Sequence, residues 1–307
     1  MQISTNYIFD RASQQMSSLQ SDLAKSNAQI AAQKQVLNPS DAPDQTAAIL
    51  RLKSVLGRQE SYTKSLGTVN SRLGIESSAL VSAGDVMTRV KEITIQAVSD
   101  TIGTTGRQAL GVQLQSLRNQ LLTAANSRDS SGNYVFSGSR VGHPAFGLDS
   151  SGTTVYQGDQ TPLNVIVGEN RTMAINRNGS ESFVGVIRTN TDGTASGTGF
   201  FQVLDDLIKA VNTSDVTSIR SSMAEVGTLQ QGLVLGAARV GTDQNAVEQQ
   251  ISAIQDTAMG LKSSLSSIED LDFASAVVQM NKQMMSLQAA QSSFAKISQL
   301  SLFDYIK

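Results

Sequence analysis

A lone histidine, His143 in the stretch RVGHPAFG, is the first place to look for chemistry in this chain of 307 residues, which has no cysteine and no tryptophan. A histidine that acts as a general base or metal ligand needs partners at fixed spacing. None stands near His143, and a loop histidine beside a proline reads as structural. Asp41 and Asp44 are close enough for an acid–base or metal pair, but both sit where a helix begins, and capping accounts for them. No Ser–His–Asp order, zinc spacing or glycine-rich phosphate loop occurs. The lack of cysteine excludes disulfides, thiol catalysis and cysteine-ligated metals. Neither catalysis nor a cofactor is expected. GTGFF and GSRVG read as turns.

The residues that stand out suit recognition of other chains. Met280, Met284 and Met285 place adaptable thioethers along one helical stretch. Met280 and Met284 fall on an apolar seam, whereas Met285 lies beside it and suits a chaperone or a neighbouring subunit. Phe303, within the last five residues, is apolar where a free end is ordinarily polar, which favours contact with another chain. Charged residues make up 16% of the chain and the formal net charge is −2. Lys and Arg form no stripe, so no nucleic-acid partner is expected. No apolar run approaches the ~18 residues of a membrane span, and the opening stretch lacks the pattern of a cleavable secretory signal.

These residues are positioned by heptads. Phe9, Met16, Leu23, Ile30 and Leu37 recur at seven, with Ala12, Leu19, Ser26 and Gln33 between them, the signature of a helix with one apolar seam. The pattern stops at NPSD, where Asn38 precedes Pro39 and is biased away from helix. Asp41 is the expected N-cap of the next helix, and Pro43 is tolerated in its first turn. Asn38, Pro39, Asp41 and Pro43 thus mark a hinge. Leu52, Gln59, Leu66, Leu73, Leu80 and Met87 carry the second seam, with Tyr62, Val69, Ala83, Val90 and Ala97. After SDTIGTTG, Leu110, Leu114, Leu117 and Leu121 line a shorter helix. From Ile219 to Ile268 a 4,3 spacing runs through Met223, Val226, Gln230, Leu233, Ala237, Val240, Val247 and Ile254. EDLDFA interrupts it, and Phe273, Val277, Met280, Met284, Leu287, Gln291 and Phe294 continue a seam. Between the halves, residues 130–199 hold half of the 24 glycines and the short β-prone runs NYVFSG, TTVYQG, LNVIVG, TMAIN and SFVGVI.

The expected fold is mainly α: elongated, stacked helical bundles or coiled coil formed by the N- and C-terminal halves, with a small all-β insertion. Residues 1–42 and 270–307 are the terminal coiled-coil helices, 43–135 and 200–269 a long helical bundle, and 136–199 a β-rich outer insertion. Pairing the two ends sets the break at 38–44 against the break near 269–273. Isolated helices are marginal in water. Either the terminal pair becomes ordered only when neighbouring subunits cover it, or it completes a bundle that is stable alone. The pattern supports both. A helical signalling protein is a further reading, disfavoured by the glycine-rich insert and the missing membrane span.

NPSDAP, YVFSGS, VYQGD and the closing LQAAQSSFAKISQLSLFDYIK resemble the flagellin superfamily, and within it the branch that joins hook to filament. The resemblance spans 1–135 and 200–307. It departs from the family where AAQKQVL lacks a glycine step before NPSD and where Ala42 replaces a second Asp. MTRVKEITIQAV (87–98) is similar to the flagellin helix that packs protofilaments, with Arg89 and Glu92 on the matching positions. The resemblance implies a non-enzymatic structural subunit of the extracellular flagellum. Such subunits pass unfolded through the flagellar type III export channel, with a chaperone on the C-terminal helix. They then form a ring of like subunits between hook-associated protein 1 and flagellin. The assembly seams would be Phe9, Met16, Leu23, Ile30 and Leu37 together with Val277, Met280, Met284, Leu287, Phe294, Leu302 and Phe303. A minor flagellin that builds the filament itself is the alternative.

Overall fold

The computed structural model describes the backbone of residues 2–189 and 195–305, and within those bounds the side chains of residues 7 and 9–296. In order come α1 (Gln2–Ala32), α2 (Pro43–Val98), α3 (Thr104–Ala125), β1 (Phe146–Leu148), β2 (Thr154–Tyr156), β3 (Asn164–Gly168), β4 (Arg171–Ala174), α4 (Gly179–Ser182), β5 (Val186–Thr189), β6 (Ala195–Thr198), α5 (Phe200–Asn212), α6 (Val216–Glu269) and α7 (Phe273–Tyr305). None of the described helices is long and apolar enough to cross a membrane. The chain divides into two compact units, residues 1–58 with 256–307, and residues 59–255.

In the first unit α1 and α7 run antiparallel. Phe9 meets Phe294 edge to face at 5.3 Å, and Ser26 Oγ donates to Gln283 Oε1 at 2.9 Å. Phe9, Ala12, Met16, Leu19, Leu23, Ser26 and Ile30 face inward from α1, as the heptad predicts. On α7 the phase differs. Ala276, Met280, Gln283, Leu287, Ala290 and Phe294 turn inward, while Met284 is 42% exposed and Phe273 56%. The apolar stripe of α7 is wider than one partner helix can cover, so spacing alone did not say which edge of it α1 would take. Leu37 is corrected too. The chain leaves the helix at Gln33, whose φ is 55°, so the seven-residue count no longer carries direction, and Val36 is buried instead.

The second unit is built on the seams of α2 and α6. Leu66, Val69, Leu73, Leu80, Ala83, Met87, Val90 and Ala97 are buried from α2, and Ile219, Val226, Leu233, Val240, Val247 and Ile254 from α6. The strict seven-residue positions held on α6. Its inner companions in the first half are Ser222, Leu229 and Gly236, one residue earlier than expected.

The β-prone segment forms three separate antiparallel hairpins, β1–β2, β3–β4 and β5–β6. NYVFSG is not a strand but is held by isolated bridges, Arg128 to Tyr134 and Ser137 to Asn178. The segment has no core of its own. Phe136, Phe146, Val167, Phe183 and Val186 join the same buried cluster as the helices. Phe183 and Phe146 meet Phe200 and Phe201 of α5 with ring centroids 5.2–6.4 Å apart. GTGFF is therefore more than a turn: Gly199 caps α5, and both phenylalanines are buried.

One ten-residue turn occurs twice, as DSSGNYVFSG (129–138) and DSSGTTVYQG (149–158). Asp129 Oδ1 accepts from the amides of Ser131 and Asn133, and Asp149 Oδ1 from those of Ser151 and Thr153, all at 2.9 Å. Gly132 and Gly152, with φ of 83° and 80°, supply the left-handed step that residues with a Cβ rarely take.

Because the core is shared, Phe136→Ala is expected to cost ~3–5 kcal/mol and to lower one common melting transition of helices and hairpins. Calorimetry that resolved an unaffected helical transition would contradict the shared core.

Candidate assembly surface and its clasp

The two breaks in the helical pattern meet. Lys34 and Asp270 form an antiparallel backbone bridge. The Gln35 amide donates to the Glu269 carbonyl at 2.8 Å, and the Leu271 amide to the Gln33 carbonyl at 3.2 Å. The Glu269 side chain, 7% exposed, takes Lys34 Nζ and Lys53 Nζ on one oxygen, both at 2.8 Å. Burial pushes its carboxyl upward, yet the hydrogen bonds and charges of the two lysines outweigh burial and hold it below the ordinary glutamate value.

The hinge residues take roles the sequence did not give. Asp41 does not cap α2. With Pro43 as the first helical residue, the cap position falls to Ala42, whose carbonyl accepts from Gln45 and Thr46. Asp41 turns back instead. Its Oδ2 accepts from the Leu37 and Asn38 amides at 3.1 and 2.8 Å, and its Oδ1 pairs with Lys25 of α1 at 2.9 Å. The Lys25 hydrogen bond, then the Asn38 amide, hold its carboxyl below the ordinary aspartate range. The Asn38 carbonyl closes a turn onto the Asp41 amide, and the Thr46 hydroxyl donates to the Pro39 carbonyl. The break is thus a fastened corner.

The other candidate residues separate into two groups. Phe9, Met16, Leu23, Ile30, Val277, Met280, Leu287 and Phe294 are half-buried in the α1–α7 pair, while Met284 and Met285 lie outside it, with Met285 61% exposed. Leu302 and Phe303 belong to the α7 backbone, but their side chains lie outside the described residues. Arg89 and Glu92 form an exposed ion pair at 2.6 Å on α2, the kind worth at most ~1 kcal/mol to folding. His143 is exposed, and among the described residues no group of three His, Asp or Glu side chains converges on a metal position.

Sequence reasoning passed over Glu76. It occupies a seam position of α2 between Leu73 and Leu80 and is fully buried there. Arg177 Nε donates to it at 3.2 Å, and Arg177 also pairs with Asp243 of α6. A single charge in a heptad run that is otherwise apolar from Tyr62 to Val90 was the available signal.

Residues 3–140 match the bacterial flagellin N-terminal helical region, and residues 223–306 the bacterial flagellin C-terminal helical region, together more than two thirds of the chain. The chain belongs to the flagellin family. Within it, this flagellin-family chain is 26% identical over 320 aligned positions to flagellar hook-associated protein 3 of Escherichia coli K12, a match that covers all of both chains. It is 24% identical to flagellin of Bacillus subtilis 168 over 76% of this chain and 77% of that one. The fold is shared with the crystal structure of flagellar hook-associated protein 3 from Legionella pneumophila, at a TM-score of 0.64 and 18% identity over 72% of this chain and 98% of that one.

Glu269→Gln is expected to speed amide exchange at Gln35 and Leu271 by about tenfold, because both lysine hydrogen bonds lose their charge assistance. Because the folded Glu269 carboxyl is lowered, the clasp's contribution is present above the ordinary glutamate value and is lost as pH falls through the folded one. In the wild-type chain, exchange at these amides should stay slow near neutrality and rise only in acid. Identical exchange in both chains would remove the clasp's role.

Proposed function

We propose that this chain is the structural subunit that joins hook to filament in the bacterial flagellum, acting by assembly alone. The observation that carries this reading is the end-to-end match to a hook-associated protein 3, insert included, whereas flagellin matches only about three quarters of the chain. The α1–α7 pair suits the role. It leaves Phe273 and Met284 exposed beside the α1 contact and Val278 and Met285 exposed on the side of α7 turned away from it, apolar positions available to neighbouring subunits. The partners proposed for it are like subunits in a ring, hook-associated protein 1 on the hook side and flagellin on the filament side. Before assembly an export chaperone would cover α7. Arg89 and Glu92 are a proposed lateral contact. The terminal helices are proposed to gain their final order from these contacts, after export.

Gold labelling of the protein on intact flagella tests the reading. Label confined to the hook–filament boundary is expected, and label along the whole filament would make the chain a flagellin. Two variants separate folding from assembly. Leu23→Asp should weaken the α1–α7 pair itself, measured as lost helicity. Met284→Asp should leave helicity and melting temperature unchanged while reducing filament attachment, and normal filaments on Met284→Asp cells would show that this position is not at an interface.

A further inference from the structure

Glu76 has no part in the assembly surface, and its surroundings are built around it. Arg177, in the connection between β4 and α4, reaches Glu76 on α2 with Nε at 3.2 Å and Asp243 on α6 with Nη2. The backbone at this corner ties the hairpin segment together: the Gly179 amide donates to the Phe136 carbonyl at 2.8 Å, and the Gly138 amide to the Arg177 carbonyl at 3.4 Å. One guanidinium thus fastens the corner to two long helices.

We propose that the Glu76–Arg177–Asp243 cluster is a proton-operated latch. With Glu76 ionised, Arg177 holds the 177–179 corner on α2 and α6 together. With Glu76 protonated, the charge-assisted hold on α2 is released, and of the two helices only α6 keeps an ion pair to Arg177, through Asp243.

The charges that face Glu76 are few. On its own helix Arg72 lies one turn earlier, but its guanidinium is committed elsewhere. Nη1 donates to Asp129 at 3.2 Å and Nη2 to the Tyr134 carbonyl at 2.9 Å, while Nε is buried without a partner. From α6 come Asp243, which shares Arg177, and Arg239, which is turned toward Glu181 of α4 at 3.7 Å. Arg177 is therefore the one cation bonded to the Glu76 carboxylate among the described residues. A cleft of about 280 Å³ lined by Glu76, Arg177, Asp243, Asn176 and Glu181 gives the proton a path from solvent. Burial raises the Glu76 carboxyl from 4.5 to about 7, against the opposing pull of Arg177 and Arg72.

The sign of the linkage gives the latch a signature. The folded carboxyl binds its proton more tightly than the unfolded one, so this group adds stability as pH falls from about 7 towards 4.5. The corner loosens over the same interval. Global stability and local protection therefore move in opposite directions, which ordinary acid destabilisation does not produce.

The test is a carboxyl titration of the full chain by NMR with ¹³C-labelled glutamate, alongside amide exchange at Gly138 and Gly179 corrected for intrinsic pH dependence. Glu76 is expected to titrate near neutrality. Protection at the two glycines is expected to fall about tenfold between about pH 8 and about pH 5.5, and Glu76→Gln should show the low value at both. A Glu76 midpoint in the ordinary carboxylate range would overturn the proposal, as would wild-type protection that does not change with pH. The wild-type titration and exchange decide the matter without the variant.

Discussion

No terminal helix of this chain has its partner nearby in sequence. Ser26 and Gln283, which meet in the α1–α7 pair, are 257 positions apart, and the bridge at Lys34 and Asp270 spans nearly as far. Closing so long a loop costs entropy before any contact offsets it. The first unit therefore depends on the breaks between helices as much as on its seams. Those breaks bring two distant backbone segments into hydrogen-bonding register, and the heptads of α1 and α7 then have a fixed point from which to align.

The two buried glutamates show how the same residue type serves opposite ends. Glu269 is surrounded by two lysines that it does not share, and their combined charge overcomes its burial. Glu76 has one arginine, divided between two carboxylates, and burial prevails. The first is a fixed ionic anchor in the working pH range. The second sits where small changes of environment alter its charge.

Much of the architecture was legible because heptads report direction over long helices. The seven-spaced positions of α2 from Leu66 to Met87 and of α6 from Ile219 to Ile254 are buried, and the shorter helix is built on Leu114 and Leu121. What stayed illegible has local physical causes. Of the companion positions on α7, Val277 is half-buried as expected, but Phe273, Met284 and Gln291 are exposed because its apolar stripe is wider than a single partner. Asp41 was assigned to the helix after it, although Pro43 shifts the cap to Ala42 and frees the carboxylate to bind backward. The aromatic packing of Phe146, Phe183 and Phe201 joins segments with no common period, so nothing in the spacing announced that the hairpins and helices share one interior. On the candidate surface the sequence located the apolar positions, but only the structure separated those that α1 covers from those it leaves to solvent.

The fastened break also has a mechanical meaning. The chain passes twice between the α1–α7 pair and the adjoining ends of α2 and α6, once through residues 33–42 and once through 270–272. The Gln35–Glu269 and Leu271–Gln33 hydrogen bonds cross-link the two passages. Tension that draws the terminal pair away from α2 and α6 is divided between two covalent strands. The cross-links hold the two passages side by side, so a pull along one is shared by the other, and the corner yields as one ribbon instead of as two independent strands.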